Sequence, residues 1–203
     1  MYDKVYTMDK LIIQKMIIPI KKNTNPGYKR KETKGICIHH TACPFVPAIN
    51  FYSALQNQND NIYSSYHCVL DYDGSILQFI EWENRAFASG SYNYTWLGKT
   101  KFKGSHETSA SEYTIDIECC CEGQETGYLI NDRQLKTLAL WCAEMCINFS
   151  LDPENDIHRH MDIAEDKPEC PLYLKDDSRW YKLNNEIKKI YNKKMEYVVR
   201  GIE

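Results

Sequence analysis

Apolar residues along this chain follow two rhythms, and the switch between them marks its elements. Gly35-Ile-Cys-Ile-His39 is a short apolar, β-branched run, and Tyr113-Thr-Ile-Asp-Ile-Glu118 alternates; both predict strands. His67-Cys-Val-Leu70 and Ser75-Ile-Leu-Gln-Phe-Ile80 flank Asp71-Tyr-Asp-Gly74, and an Asp-Gly turn between two apolar runs predicts a β-hairpin. The other rhythm is helical. Leu135, Leu138, Cys142, Met145 and Phe149 recur at steps of three and four behind Asn131, with Gln134 placed to complete a capping box, so a helix is predicted over 131–149. Trp180, Leu183, Ile187 and Ile190 predict a second helix after Asp177-Ser178, and Ile49, Tyr52 and Leu55 predict a shorter one within 44–57. Residues 86–109, rich in Gly, Ser, Asn and Tyr, read as a long surface loop. Strands interleaved with helices predict an α/β or α+β domain, with a sheet made partly antiparallel by the hairpin.

With 203 residues, 43% hydrophobic and 26% charged, the chain reads as one globular domain and not a disordered one. Its longest apolar stretch, Leu11 to Ile20, is broken by Gln14 and Lys15 and is shorter than the roughly 20 residues a membrane helix needs. No small-residue cleavage site follows it, so we expect synthesis in the cytoplasm without a signal peptide and no membrane insertion. The net charge of −3 hides a split: residues 1–34 carry +6, residues 35–174 carry −12, and residues 175–203 carry +3. An acidic body repels a polyanion, which argues against nucleic acid as a partner. Nine cysteines with no C-x-x-C pair do not form a disulfide scaffold; most are expected to be reduced, buried, small hydrophobes.

One cysteine stands apart. His158-Arg-His160 is followed, after a nine-residue loop, by Cys170-Pro171, and His39-His40 closes a distant strand. Two imidazoles and one thiolate suit zinc, and three protein ligands leave a fourth position for water, as in catalytic sites. Spacing alone is also met by ordinary loop histidines and a buried thiol.

The motifs around these residues are more specific. Gly35-Ile-Cys-Ile-His39-His40-Thr41-Ala42 resembles the first zinc motif of type 2 N-acetylmuramoyl-L-alanine amidases, a group that includes phage lysozyme-type amidases and peptidoglycan recognition proteins. Ser65-Tyr66-His67-Cys-Val-Leu-Asp-Tyr-Asp-Gly74 resembles their Y-H-F/Y hairpin, and Thr114-Ile-Asp-Ile-Glu118 is similar to their S-I-G-I-E strand. His160-Met-Asp-Ile163 and Lys167-Pro-Glu-Cys170-Pro171 are similar to H-R-D-I and K-x-x-C-P. The motifs occur in family order across roughly residues 17 to 190. Departures exist: where many members read A-W-H-A-G this chain reads Ala86-Phe87-Ala88-Ser89-Gly90, and Leu172 replaces the glycine after Cys-Pro.

The resemblance implies a mixed α/β fold like that of peptidoglycan recognition proteins, with a central mixed sheet and helices packed on both faces, and a Zn2+ ion held by His39, His160 and Cys170. It implies Glu118, Lys167 and Tyr66 as the residues of catalysis, on a peptidoglycan substrate cleaved between N-acetylmuramic acid and L-alanine. Plainer roles stand beside these: a solvated strand end for Glu118, a surface charge for Lys167 and a core aromatic for Tyr66. The missing signal peptide, the cysteine pattern of a reducing cytosol and the lone catalytic domain lead us to expect a phage or prophage endolysin, released through a holin to act on the cell wall, with a host autolysin as the alternative. A non-catalytic wall-binding module of the same fold is the other reading. We expect residues 1–34 to form a basic lead-in packed on the domain and 35–190 to form the catalytic domain. Residues 191–203 would be a helix end or the start of a linker. Oligomeric state and target bacterium are not legible.

Overall fold

The computed structural model describes residues 11–123 and 127–200; the remainder of the basic lead-in and the last three residues lie outside it. Six strands form one mixed sheet: β1 (Ile13–Lys15), β2 (Gly35–His40), β3 (Cys68–Leu70), β4 (Ile76–Gln78), β5 (Thr114–Cys119) and β6 (Ile157–Arg159), in the spatial order β1-β4-β3-β5-β2-β6. Only β3 and β4 pair antiparallel, joined by the Asp-Gly turn, where Gly74 has a φ of 79° that a side chain would resist. Both edge strands have three residues, which leaves little unpaired edge.

Alternation sorts each strand between two cores. Ile36 and Ile38 of β2, Cys68 and Leu70 of β3, and Ile115, Ile117 and Cys119 of β5 face α3 (Asp132–Phe149) and α5 (Asp177–Arg200). On the other face, Val69, Leu77 and Phe79 pack with α1 (Ala48–Gln56). Helices therefore cover both faces, as expected. The three consecutive cysteines obey the same rule: Cys119 and Cys121 belong to the first core and Cys120 to the second. All nine cysteines are free, and only Cys43 is exposed.

The best-signalled helix matches its prediction. Asn131 accepts from the Gln134 N–H while the Gln134 side chain accepts from the Asn131 N–H, a complete capping box. Its buried band is wider than the predicted stripe and includes Trp141, because α3 is covered by the sheet and also flanked by α5. Other expectations need correction. The first helix buries Leu55 but leaves Ile49 exposed, so its inward face is narrower than the spacing implied. The segment 86–109 is not simply a surface loop. It holds α2 (Trp96–Thr100), capped by Thr95, and it buries Tyr94 and Phe102 in a third small core with Cys37, Tyr113 and Ile163. Its glycine and serine content hid this. Gly98 is needed there, because a Cβ would lie 2.2 Å from the Ile163 carbonyl oxygen in the short helix α4 (His160–Ile163).

The lead-in contributes β1 at the sheet edge, together with the buried residues Asn23, Thr24, Asn25 and Arg30. No helix among the described residues is long and apolar enough to cross a membrane.

If the α3 side carries the main core, truncating fully buried Leu138 removes transfer energy and leaves a cavity. Leu138→Ala should then cost about 2–5 kcal/mol in urea-induced unfolding of metal-free protein. A loss below about 1 kcal/mol would mean this layer is not the core.

Candidate metal centre

The sheet register assembles the site. β2 and β5 pair in parallel with His39 opposite Glu118 and Cys37 opposite Asp116. β6 pairs with the other side of β2, Ile38 against Arg159, so the next residue of each chain segment is His39 and His160. Alternation turns His39 towards Asp116 and sends His40 to the opposite face, where its ring lies 4.9 Å from that of Tyr128. Cys170 is delivered by the loop after α4, and its carbonyl accepts from the Met161 N–H at 2.7 Å, tying the loop to the start of that helix. Arg159 anchors the same region through Asp162, Asp177 and the Leu174 carbonyl.

Three donor atoms converge. His39 Nδ1 lies 3.1 Å from His160 Nδ1 and 3.7 Å from Cys170 Sγ. A tetrahedral ion with nitrogens at about 2.05 Å and a sulfur at about 2.3 Å has edges of about 3.3 Å (N–N) and about 3.6 Å (N–S), close to these separations. Two ring nitrogens so close also need a shared proton or a cation between them. Burial, then repulsion from a protonated His39 and from Lys167, drive the His160 pKa well below the ordinary histidine value. His39 itself, despite its burial, is raised well above that value by Cys37, Asp116 and Cys170, so in the metal-free protein it carries a proton that an ion would displace. Imidazole nitrogens and a thiolate are the donor set that zinc prefers, so the residues fit the ion.

Glu118 stands beside His39 with its Oε2 buried and without a hydrogen-bond partner. Burial, opposed by His39 and reinforced by Asp116, pushes its carboxyl up to about 7. Tyr66 is buried against Phe79, and burial together with the charge of Glu118 raises its hydroxyl well above the usual tyrosine value. Lys167 is exposed on the Cys170 loop, and its charge acts on His160. The structure therefore brings His39, His160 and Cys170 together, with Glu118 adjacent. His158 is not part of the group; it stacks on Phe102, next to Lys101 at 3.1 Å.

Sequence reading missed the polar layer beneath the site. Asp116 lies fully buried with Oδ1 3.2 Å from His39 Nε2. His67, also fully buried, accepts from the Asp116 N–H at Nδ1, and its Nε2 sits among Arg30 and the Asn84 carbonyl. Asp116 was legible in principle, because it shares the Glu118 face of an alternating strand. Nothing in the pattern pointed to Arg30.

With this geometry in view, the comparisons with known proteins are specific. Residues 29–172 match the sequence model described as N-acetylmuramoyl-L-alanine amidase. The chain is 27% identical over 174 residues to N-acetylmuramoyl-L-alanine amidase BlyA of Bacillus subtilis (strain 168), an alignment covering 84% of this chain and 45% of that protein. It thus spans less than half the length of that relative. The fold is shared with the PlyG catalytic domain (TM-score 0.66, 20% identity, 89% of this chain and 96% of that one). It is shared too with a mutant endolysin from Bacillus subtilis (TM-score 0.63, 20% identity, 88% and 99%). Since the family model spans well over half the sequence, the chain belongs to the N-acetylmuramoyl-L-alanine amidase family.

Proposed function

We propose that this protein is a zinc-dependent peptidoglycan hydrolase cleaving the amide between N-acetylmuramic acid and L-alanine. The observation that carries the reading is the convergence of His39 Nδ1, His160 Nδ1 and Cys170 Sγ beside a half-buried, proton-accepting Glu118. These three residues would hold the ion. When bound, zinc would lower the pKa of water towards about 7 and polarise the scissile carbonyl.

The chain's own residues supply the proton traffic. Glu118, poised to gain or lose a proton near neutrality, takes a proton from the attacking water and passes it to the leaving nitrogen. A C–O bond forms, the C–N bond breaks, and L-alanine leaves as a free amine. Lys167, exposed on the loop that delivers Cys170, stabilises the oxyanion, and Tyr66 donates its hydroxyl hydrogen to the same charge. A tyrosine whose pKa is raised by burial stays protonated at neutral pH, so it donates and does not act as the base. The retained three-donor set favours an enzyme over a wall-binding module, which needs no ion. We read residues 35–190 as the catalytic domain, 1–34 as its lead-in and 191–203 as a helix end or the start of a linker. The likeness in fold to an endolysin from Bacillus subtilis supports reading the protein as a phage or prophage endolysin made in the cytoplasm and released onto the wall.

Glu118→Gln should lower the rate of free-amine release from peptidoglycan by about 10²–10⁴-fold while zinc content stays at one per chain. Tyr66→Phe should cost less. Should Tyr66→Phe be the deader enzyme, Glu118 is not the base.

Glu118 also makes a pH prediction for the metal-free protein. Its folded pKa of about 7 lies above its ordinary value of 4.5, so between those limits the native state binds the extra proton. Stability conferred by this group is therefore lost as pH rises through that window. Urea unfolding of wild type and Glu118→Gln should diverge as pH rises from about 5 to 7, the variant gaining relative stability. Parallel curves would show that the carboxyl is not desolvated.

A further inference from the structure

We infer that Asp116 is the positioning residue of the metal centre: it fixes which nitrogen of His39 carries the proton and so aims the Nδ1 lone pair at the ion. The inference rests on the zinc reading above. Its basis is geometric. His39 Nε2 faces Asp116 Oδ1 at 3.2 Å, and a carboxylate oxygen only accepts, so Nε2 is the N–H nitrogen and Nδ1 the free one. Nδ1 is the atom that faces His160 and Cys170.

Asp116 is itself held from several sides, which makes it a fixed support. Ser89 Oγ donates to Oδ1 at 2.5 Å, Thr114 Oγ1 lies 3.2 Å from both oxygens, and the Asp116 N–H donates to His67 Nδ1 at 3.0 Å. Cys37, in register with Asp116 on the neighbouring strand, closes the same buried layer. Burying a carboxylate this completely costs free energy unless its oxygens are satisfied, and here two hydroxyls and the His39 imidazole meet it. The residue is also a departure from the motif that the strand resembles. Asp116 stands at the glycine of S-I-G-I-E, and Ser89, its shortest partner, stands at the second alanine of A-W-H-A-G. The two departures meet in one hydrogen bond, so they form a unit. A glycine at 116 would leave His39 Nε2 without this acceptor.

The test is zinc affinity, read by competition with a chromophoric chelator on the full chain, beside the visible spectrum of cobalt-substituted protein. Second-layer partners of metal-bound histidines are typically worth about 10–100-fold in affinity, and Asp116→Ala should lose that much. Asp116→Asn keeps the shape but exchanges a carboxylate for a neutral amide, whose oxygen is a weaker acceptor for His39 Nε2 and whose N–H, if turned there, favours the wrong tautomer. It should also weaken zinc and alter the cobalt spectrum, while Ser89→Ala, which keeps the carboxylate, should lose less. Circular dichroism of the metal-free variants separates lost support from lost fold; if Asp116→Ala is unfolded, Asp116→Asn decides. Wild-type zinc affinity and an unchanged cobalt spectrum in a folded Asp116→Asn or Asp116→Ala protein would overturn the inference and leave the zinc reading standing. Failure of the wild type to bind zinc would overturn both.

Discussion

Everything at the metal centre depends on the parallel ladder between β2 and β5. Six consecutive residue pairs, Gly35 with Thr114 through His40 with Cys119, fix two strands in one register. Because side chains alternate, a slip of one residue would exchange the isoleucines of the α3 core with the histidine and carboxylates of the site. The apolar face thus specifies the polar face. Ile36, Ile38, Ile115 and Ile117 can be buried under α3 only when His39, Asp116 and Glu118 share the other side. β6 extends the same logic by placing His160 one step beyond its pairing with Ile38.

That arrangement carries an electrostatic cost. His39, His67, Asp116 and His160 are all nearly or wholly removed from water. An unsatisfied buried polar group costs about 1–3 kcal/mol, against a total domain stability of about 5–15 kcal/mol. Several such losses together would unfold the protein, so the layer must be almost completely paired. Much of it is: the Asp116 carboxylate meets two hydroxyls and His39 Nε2, and His67 is held by the Asp116 N–H, with Arg30 and the Asn84 carbonyl at its far side. Three atoms are exceptions. Arg30 Nε, His160 Nε2 and Glu118 Oε2 are left without partners, and the last of these leaves a carboxyl free to exchange a proton.

The sequence made some of this readable and concealed the rest for physical reasons. Alternation in 113–118 and the capping box at Asn131 are local signals, so β5 and α3 emerged where predicted. The three candidate donors were readable because their motifs are contiguous around each one. Their grouping came from the family resemblance and not from periodicity, since it depends on the β2–β6 pairing, and β6 has only three residues with no pattern of its own. Arg30 looked like one of many charges in a basic lead-in. Only the fold shows it buried beside His67, while its neighbours Lys29 and Lys31 stay exposed. Residues 86–109 carried turn-forming composition, yet the segment is packed because Tyr94 and Phe102 supply a small core that spacing could not reveal.

The central claim is that one zinc ion is bound through the Nδ1 atoms of His39 and His160 and the sulfur of Cys170. X-ray absorption at the zinc edge tests it most directly, since nitrogen and sulfur scatter at distinguishable distances. The account predicts one sulfur at about 2.3 Å and two imidazole nitrogens at about 2.0–2.1 Å, with a lighter atom from solvent completing the shell. A shell without sulfur, or one with more than one sulfur, would contradict it.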